Sequence, residues 1–280
     1  MGAVGIVLSG GRSSRMGAPK ACLEWHGSTL LARTARILQR AVGQRVMVVR
    51  APGQQLPELP ADVEVVDDEE EGLGPMQGVA VGLATAQDDA ELAFVCSTDL
   101  PFLHPAFVER VLDGFTSEVD AVVPHARGHR QPLAAGYRTA LAPTVAELLA
   151  AGARKPAMIL DACHTHWLDE ATLLADPRLA AVDPQLESVR NINVPEDYEL
   201  ARAEPPPQVT VERFGTLARN GQRGARTIEA ATLGQAAQAV DLVLDQHVVA
   251  ALNGERITRD TQVPLVRGDQ LAFLSADAGG

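Results

Sequence analysis

A glycine-rich segment near the start of the chain has the residue types of a phosphate-binding loop. Residues 8–20 read LSGGRSSRMGAPK. The glycines let backbone N–H groups approach and surround a polyphosphate, and Arg15 and Lys20 can neutralise it. The segment matches neither the Walker A pattern nor the G-x-G-x-x-G dinucleotide pattern, and glycines alone would also fit a mobile turn with solvated cations. The added pattern R-M-G-x-x-K favours phosphate binding.

A second candidate site is centred on Asp99. It belongs to the segment CSTDLPF at residues 96–102, which ends an apolar run at 92–96 that predicts a buried strand. Mg²⁺ takes oxygen ligands and is often held by one or two carboxylates together with substrate phosphates. An Asp before Leu-Pro is equally typical of a turn. Its place at a strand end, in register with the glycine-rich segment, favours metal binding.

The sequence ends in Gly279-Gly280, where a third kind of chemistry is expected. Two residues without Cβ form a thin thread that can enter a narrow enzyme channel and present the carboxylate of Gly280 for activation. A frayed, solvated terminus is the alternative interpretation of this pair.

Charge and composition narrow the class of protein. The chain has 24 basic and 36 acidic residues and a net charge of −12, with no Lys/Arg-rich block, which argues against nucleic acid and anionic membranes as partners. No apolar stretch approaches the ~20 residues of a membrane span, and the apolar run at 3–8 is too short for a signal peptide, so a cytoplasmic protein is expected. Cys22, Cys96 and Cys163 are far apart and odd in number, which predicts buried, reduced cysteines.

The elements that position these loops follow from apolar patterning. Buried strands are predicted at 4–8, 45–49, 63–66, 92–96 and 121–123, and helices at 29–41, 75–86, 105–114 and 143–150. Strands that alternate with helices indicate an α/β fold with a doubly wound, mostly parallel sheet. Such sheets bind ligands beyond the carboxyl ends of their strands, where both candidate loops lie.

Three consecutive prolines divide the chain. They cannot continue a helix and favour an extended connector, so we predict a large domain at 1–204, a linker at 205–207 and a small domain at 208–280. In the small domain Thr232 can cap the helix and Asn253-Gly254 can form a tight turn. The predicted elements there are strands at 209–214, 248–252 and 270–274, with a helix at 232–244.

Four motifs in order make residues 1–204 resemble the molybdenum-cofactor guanylyltransferase family. They are the glycine-rich segment, Asp68 followed by GLGPMQG at 72–78, the segment TDLPF, and NINVPED at 191–197. The resemblance implies a Rossmann-like nucleotidyltransferase that joins the GMP part of GTP to molybdopterin and releases pyrophosphate. The Gly10-Gly11 pair favours guanine, because related cytidylyltransferases usually have Ala-Gly there.

The resemblance also implies roles for individual residues. Lys20 and Asp99 would carry the catalysis, Asp99 would hold Mg²⁺, and Asn191 and Asn193 would lie on the molybdopterin side. The implied nucleotide-binding residues are Leu8, Ser9, Gly10, Gly11, Arg15, Lys20, Asp68 and Asp99. Asn193 and Glu196 also fit a helix capping box, so a cap remains an alternative for Asn193.

Three further basic residues have two interpretations. Arg130, Arg154 and Lys155 could reach the phosphate of the pterin, and surface salt bridges explain them equally well.

Residues 208–280 resemble the β-grasp sulfur carriers, specifically the small subunit of molybdopterin synthase. The resemblance rests on a β–α–β order, the segments ALNGE and RGDQL, and the final Gly-Gly. It implies a ubiquitin-like α+β domain whose Gly280 is adenylated and becomes a thiocarboxylate, with an adenylating and sulfurating enzyme and the large subunit of molybdopterin synthase as partners.

Other functions remain open from the sequence. The large domain could transfer CMP or a sugar nucleotide instead, or the chain could be a non-catalytic scaffold that presents the carrier to another acceptor. The intact Lys20 and Asp99 argue against the scaffold.

Overall fold

The chain divides into two compact units. The computed structural model describes residues 2–10, 19–43, 45–68, 74–218 and 224–275. The first unit comprises Met1–Trp25 and Thr29–Glu199, and the second comprises His26–Ser28 and Leu200–Gly280. Among the helices in the described ranges, none combines the length and the apolar character needed to cross a bilayer.

Strands and helices alternate in the part of the chain that precedes the prolines. The strands are β1 (Ala3–Leu8), β2 (Glu24–Trp25), β3 (Ser28–Thr29), β4 (Val46–Arg50), β5 (Val63–Asp67), β6 (Leu92–Ser97), β7 (Ala121–Ala126), β8 (His129–Arg130), β9 (Ala134–Arg138) and β10 (Thr165–Asp169). The helices are α1 (Leu30–Val42), α2 (Pro75–Ala86), α3 (Pro105–Leu112), α4 (Ala142–Ala150), α5 (Glu170–Leu174), α6 (Pro177–Val182) and α7 (Pro195–Arg202).

The main sheet has the order β10-β7-β9-β6-β1-β4-β5, with β8 paired to β7. Strand β1 pairs in parallel with β4 and β6, β4 with β5, and β7 with β10. Strand β9 runs antiparallel between β6 and β7. The α/β prediction is therefore confirmed, and the sheet is mixed: its strands are mostly parallel, as predicted, while β8 and β9 are antiparallel to their neighbours.

Strand β1 lies between two helical layers, because two glycines let helices approach the sheet. A Cβ at Gly5 would lie 2.9 Å from Cδ1 of Leu38 in α1, and a Cβ at Gly82 in α2 would lie 2.7 Å from Cγ2 of Ile6. Since successive residues of a strand face opposite sides, α1 covers one face of β1 and α2 covers the other. All six residues of β1 are buried, which explains its continuous apolar sequence.

The second unit contains its own sheet. Its elements are β11 (Gln208–Arg213), β12 (Arg226–Glu229), α8 (Leu233–Ala239), β13 (Val248–Leu252), β14 (Arg256–Thr258) and β15 (Gln270–Ser275), and the sheet order is β12-β11-β15-β13-β14. The predicted cap is confirmed, since Thr232 Oγ1 accepts a hydrogen bond from the Gln235 N–H at 3.3 Å. The tight turn between β13 and β14 is confirmed as well, with φ of 53° at Asn253 and 76° at Gly254.

Several predictions differ from the structure. Strand β5, predicted as buried at 63–66, lies at the edge of the sheet, and Val65 is 40% exposed. The helix predicted at 232–244 ends at Ala239, because Val240 leaves the helical conformation and Asp241 has a φ of 54°. Buried cysteines were expected, but Cys22, in the short 3₁₀ turn Lys20–Cys22, is exposed, and Cys163 is only half-buried. Cys96 is buried as predicted, and burial raises the pKa of its thiol, so it stays protonated near neutral pH.

Candidate functional site

The two candidate loops start side by side at the carboxyl edge of the main sheet. Leu8 ends β1 and is in register with Ser97, which ends β6. The next residue, Thr98, donates two hydrogen bonds to the Leu8 carbonyl oxygen, from its N–H at 3.3 Å and from its Oγ1 at 3.0 Å. The predicted register between the loops is thereby present, and it places Ser9 and Asp99 just beyond the ends of two neighbouring strands.

Lys20, Asp99 and Asn193 form a polar cluster at this edge. Lys20 Nζ lies 3.2 Å from Asp99 Oδ2 and 3.3 Å from Asn193 Oδ1. Lys20 and Asp99 are mostly buried, with side-chain exposures of 20% and 16%. An ion pair that is shielded from bulk water is held more strongly than one on the surface. The structure therefore joins residues from three of the four motifs.

The carboxylate of Asp99 is oriented through both oxygens. Ser97 Oγ donates a hydrogen bond to Oδ1, and Lys20 donates to Oδ2. The backbone is fixed too, because the Ile192 N–H donates to the Asp99 carbonyl oxygen at 3.0 Å. This carboxylate has the oxygen donors that Mg²⁺ prefers, and one or two carboxylates with substrate phosphates suffice to hold that ion.

The two asparagines of the NIN segment differ. Asn193 directs its side-chain oxygen to Lys20, and its N–H lies 3.4 Å from Asp197 Oδ2. Asn193 precedes the first residue of α7, Pro195, by two positions, and it is Asp197 rather than Glu196 that accepts from its backbone. Asn191 is exposed and forms no hydrogen bond with the described residues.

Asp68 lies at the same edge but two strands away from β1. It follows β5, is half-buried, and donates its N–H to the Arg50 carbonyl oxygen at 2.7 Å. The neighbouring Asp67 pairs with Arg50 at 2.7 Å, and this hydrogen bond holds the pKa of the Asp67 carboxyl below its usual range. Gly11, Arg15, the segment 69–73 and Gly279-Gly280 lie outside the described residues, so the structure gives no position for these predicted groups.

Two residues that the sequence did not single out support the Asp99 segment. Arg33 of α1 is only 7% exposed, and its Nε donates to the Pro101 carbonyl oxygen at 3.0 Å. Arg190 lies 3.7 Å from the ring centroid of Phe102, which packs edge-on against Trp25. From the sequence, Arg33 could be recognised only as an arginine within the helix predicted at 29–41, because its partner Pro101 lies 68 residues away.

Neither Arg130 nor Arg154 forms a salt bridge with the described residues, which do not include the acidic segment 69–71. The Arg130 guanidinium stacks over the Trp167 ring at 4.7 Å. Arg154 instead donates to the carbonyl oxygens of Leu149 and Ala153. Lys155 is exposed and has no ion pair within the described ranges.

Solved structures show the fold class. A molybdopterin-guanine dinucleotide biosynthesis protein A from Archaeoglobus fulgidus superposes with a TM-score of 0.55 at 22% identity, covering 71% of this chain and 96% of that one. A 4-diphosphocytidyl-2C-methyl-D-erythritolsynthase from Anaerococcus prevotii superposes with a TM-score of 0.55 at 12% identity, covering 72% and 95%. The first unit thus has a nucleotidyltransferase-like α/β fold, which does not by itself decide the nucleotide.

Sequence comparison gives the family. Residues 5–166 match the MobA-like NTP transferase domain. A protein from Mycobacterium tuberculosis named "Probable molybdenum cofactor guanylyltransferase" is 42% identical over 165 residues, which span 56% of this chain and 79% of the relative. The chain belongs to the MobA-like NTP transferase family, and it is a nucleotidyltransferase.

Proposed function

We propose that the first unit transfers GMP from GTP to molybdopterin or molybdenum-molybdopterin and releases pyrophosphate. One observation carries the proposal: Lys20 Nζ contacts Asp99, on the predicted nucleotide side, and Asn193, on the predicted molybdopterin side. The name of the Mycobacterium tuberculosis relative supports the same substrates. A non-catalytic scaffold would have no need for a shielded Lys–Asp pair at the carboxyl edge of the sheet, where ligands of such folds bind.

The reaction needs positioning and charge neutralisation rather than a side-chain nucleophile. An oxygen of the molybdopterin phosphate attacks the α-phosphorus of GTP in line, and the bond to the bridging oxygen of the β-phosphate breaks as pyrophosphate leaves. Lys20 would neutralise charge that develops on the phosphates, and Gly10 would offer a backbone N–H. Asp99 would hold Mg²⁺, which when bound offsets phosphate charge.

Product analysis tests the proposal directly. The full chain is incubated with molybdopterin, Mg²⁺ and one nucleoside triphosphate at a time, and products are identified by mass spectrometry. We expect the guanylyl product with GTP and little turnover with CTP, ATP or UTP, because a site built to hydrogen-bond one base rejects bases that leave its polar groups unpaired. A cytidylyl product formed faster than the guanylyl product would replace the guanylyltransferase assignment with the cytidylyltransferase alternative.

We also propose that residues 208–280 form a β-grasp sulfur-carrier domain, joined through the linker at 205–207. Support comes from the second unit, whose order β11-β12-α8-β13 contains the β–α–β order of the resemblance with one further strand, β12, before the helix. Ala251 and Leu252 of the ALNGE segment lie on β13 next to the tight turn, and the RGDQL segment leads into β15. The activating enzyme and the large subunit of molybdopterin synthase would be its partners.

The carrier proposal requires a mature chain that ends at Gly280. The mass of the intact protein is therefore measured first. With a matching activating enzyme, ATP and a sulfide donor, adenylation of the Gly280 carboxylate and displacement of AMP by sulfide should add about 16 Da, because one oxygen leaves with AMP and one sulfur replaces it. Deleting Gly279-Gly280 should abolish this gain and leave nucleotidyl transfer unchanged. The same gain on the shortened protein would show that the tail is not the acceptor.

A further inference from the structure

Gln54 is bound to Ser9, the second residue of the glycine-rich segment. Its side-chain Nε2 donates to the carbonyl oxygen of Ser9 at 3.0 Å and lies 3.3 Å from Ser9 Oγ. Gln54 falls in none of the four family motifs, because it lies in the connection between β4 and β5. Its contact with Ser9 spans 45 positions of the chain.

A turn fixes the Gln54 side chain in the orientation that this contact needs. The Gln54 N–H donates to the Ala51 carbonyl oxygen at 3.0 Å, and the Ala51 N–H donates back to Gln54 Oε1 at 3.1 Å. Pro52 and Gly53 occupy the two central positions, and Gly53 has a φ of 70°, as a type II turn requires. With Oε1 occupied by the turn, the amide can only direct its NH₂ group to Ser9.

The contact sets the direction of the next peptide N–H. Ser9 is 9% exposed, and its own N–H donates to the Val49 carbonyl oxygen at 2.8 Å. The described chain has no cis peptide bond, so the planar Ser9–Gly10 peptide directs its C=O and its N–H to opposite sides. With the carbonyl held by Gln54, the N–H of the exposed Gly10 must point away from the turn, as a preformed donor.

We infer that Gln54 is a positioning residue for nucleotide binding. It fixes the Ser9–Gly10 peptide so that the Gly10 N–H donates to a phosphate of the bound nucleoside triphosphate, and it acts through Ser9 rather than on the nucleotide itself. The inference rests on the proposed function, in which the glycine-rich segment binds GTP. A donor whose direction is fixed before binding loses little conformational freedom when the ligand arrives.

Adjacent glutamines provide a matched pair of variants. Gln54→Glu replaces the NH₂ donor by an acceptor, whereas Gln55→Glu makes the same change of charge at an exposed residue that has no hydrogen bond with the described residues. The dissociation constant of GTP with Mg²⁺ is measured by calorimetry at pH 7.5. We expect Gln54→Glu to weaken GTP binding about tenfold, because the Gly10 N–H would no longer be oriented for its hydrogen bond to the charged phosphate, and hydrogen bonds to charged groups are stronger than those between neutral groups. Gln55→Glu should remain within about twofold of the unsubstituted protein.

A neutral variant and a pH series separate positioning from charge repulsion. Gln54→Met keeps the volume, lacks the donor and should weaken GTP binding to a similar extent at every pH. Gln54→Glu should regain affinity relative to Gln55→Glu as the pH falls and its carboxyl group takes up a proton, because the protonated group again offers a donor to Ser9. Thermal unfolding of each variant verifies that it is folded.

The outcomes distinguish this inference from the proposed function. If the unsubstituted protein binds no GTP, the proposed function fails and the inference fails with it. If the unsubstituted protein binds GTP and Gln54→Met binds equally well, Gln54 has no positioning role and the proposed function is unaffected.

Discussion

Asp99→Asn is expected to lower kcat/KM for nucleotidyl transfer by about a thousandfold, which corresponds to about 4 kcal/mol of transition-state stabilisation. The substitution removes the negative charge that would hold Mg²⁺ against the phosphates, and it preserves the shape of the side chain. Asn can still accept a hydrogen bond from Ser97 or from Lys20, the two partners of the present carboxylate. The fold should therefore survive, and initial rates with urea unfolding curves measure both effects.

Asp161→Asn is the matched control for this experiment. Asp161 is exposed and forms no hydrogen bond or ion pair with the described residues, so the variant makes the same charge change away from the cluster. Its turnover should remain within about twofold of the unsubstituted protein, as is usual for surface positions. Equal turnover of Asp99→Asn and Asp161→Asn would show that Asp99 is not part of the active site.

Apolar patterning predicted the central strands because they are buried on both faces. Strand β9 was not predicted, and the structure explains why. Its sequence AAGYR includes Gly136, a residue that weakens strand propensity, yet a Cβ there would lie 2.6 Å from Cε2 of Phe115. Packing of an aromatic ring against the sheet selects glycine at this position, and the sequence alone does not reveal that neighbour.

The overlong helix prediction at 232–244 has a different cause. Leu242 and Leu244 remain packed against the core of the second unit although the helix ends at Ala239. The apolar spacing therefore continues beyond the helix, and periodicity cannot separate a helical residue from one that reaches the same core after a turn at Asp241. The Leu242 N–H donates to the Ala237 carbonyl oxygen, which closes that turn.

The roles of charged residues in short motifs could be predicted from the sequence. The roles of residues that act through contacts with distant parts of the chain could not. Lys20 and Asp99 were predicted because their types and their places at strand ends indicate phosphate and metal chemistry. Ser97, Arg33 and Gln54 have ordinary side chains whose partners are defined only by the folded chain. The sequence did contain Ser97 within a motif, but nothing in it specified a hydrogen bond to Asp99.

Lys20→Met should lower kcat/KM by about a hundredfold to a thousandfold, or roughly 3–4 kcal/mol, because the ammonium group would no longer neutralise charge that develops on the phosphates. Arg256→Met is the control, because it also removes one positive charge, at an exposed residue of β14 that has no ion pair with the described residues. Its initial rates should remain within about twofold of the unsubstituted protein, and equal turnover of Lys20→Met and Arg256→Met would show that Lys20 has no catalytic role.

A double-mutant cycle tests whether Lys20 and Asp99 act as one unit. They are in contact at 3.2 Å, so the effects of Lys20→Met and Asp99→Asn on kcat/KM should be non-additive, with a coupling of about 1 kcal/mol or more. The reason is that each variant alone already removes the Lys20–Asp99 ion pair, so the second substitution cannot remove it again. Additive effects, together with unchanged GTP affinity in Lys20→Met, would mean that this ion pair is structural and that the phosphates bind elsewhere along the carboxyl edge of the sheet.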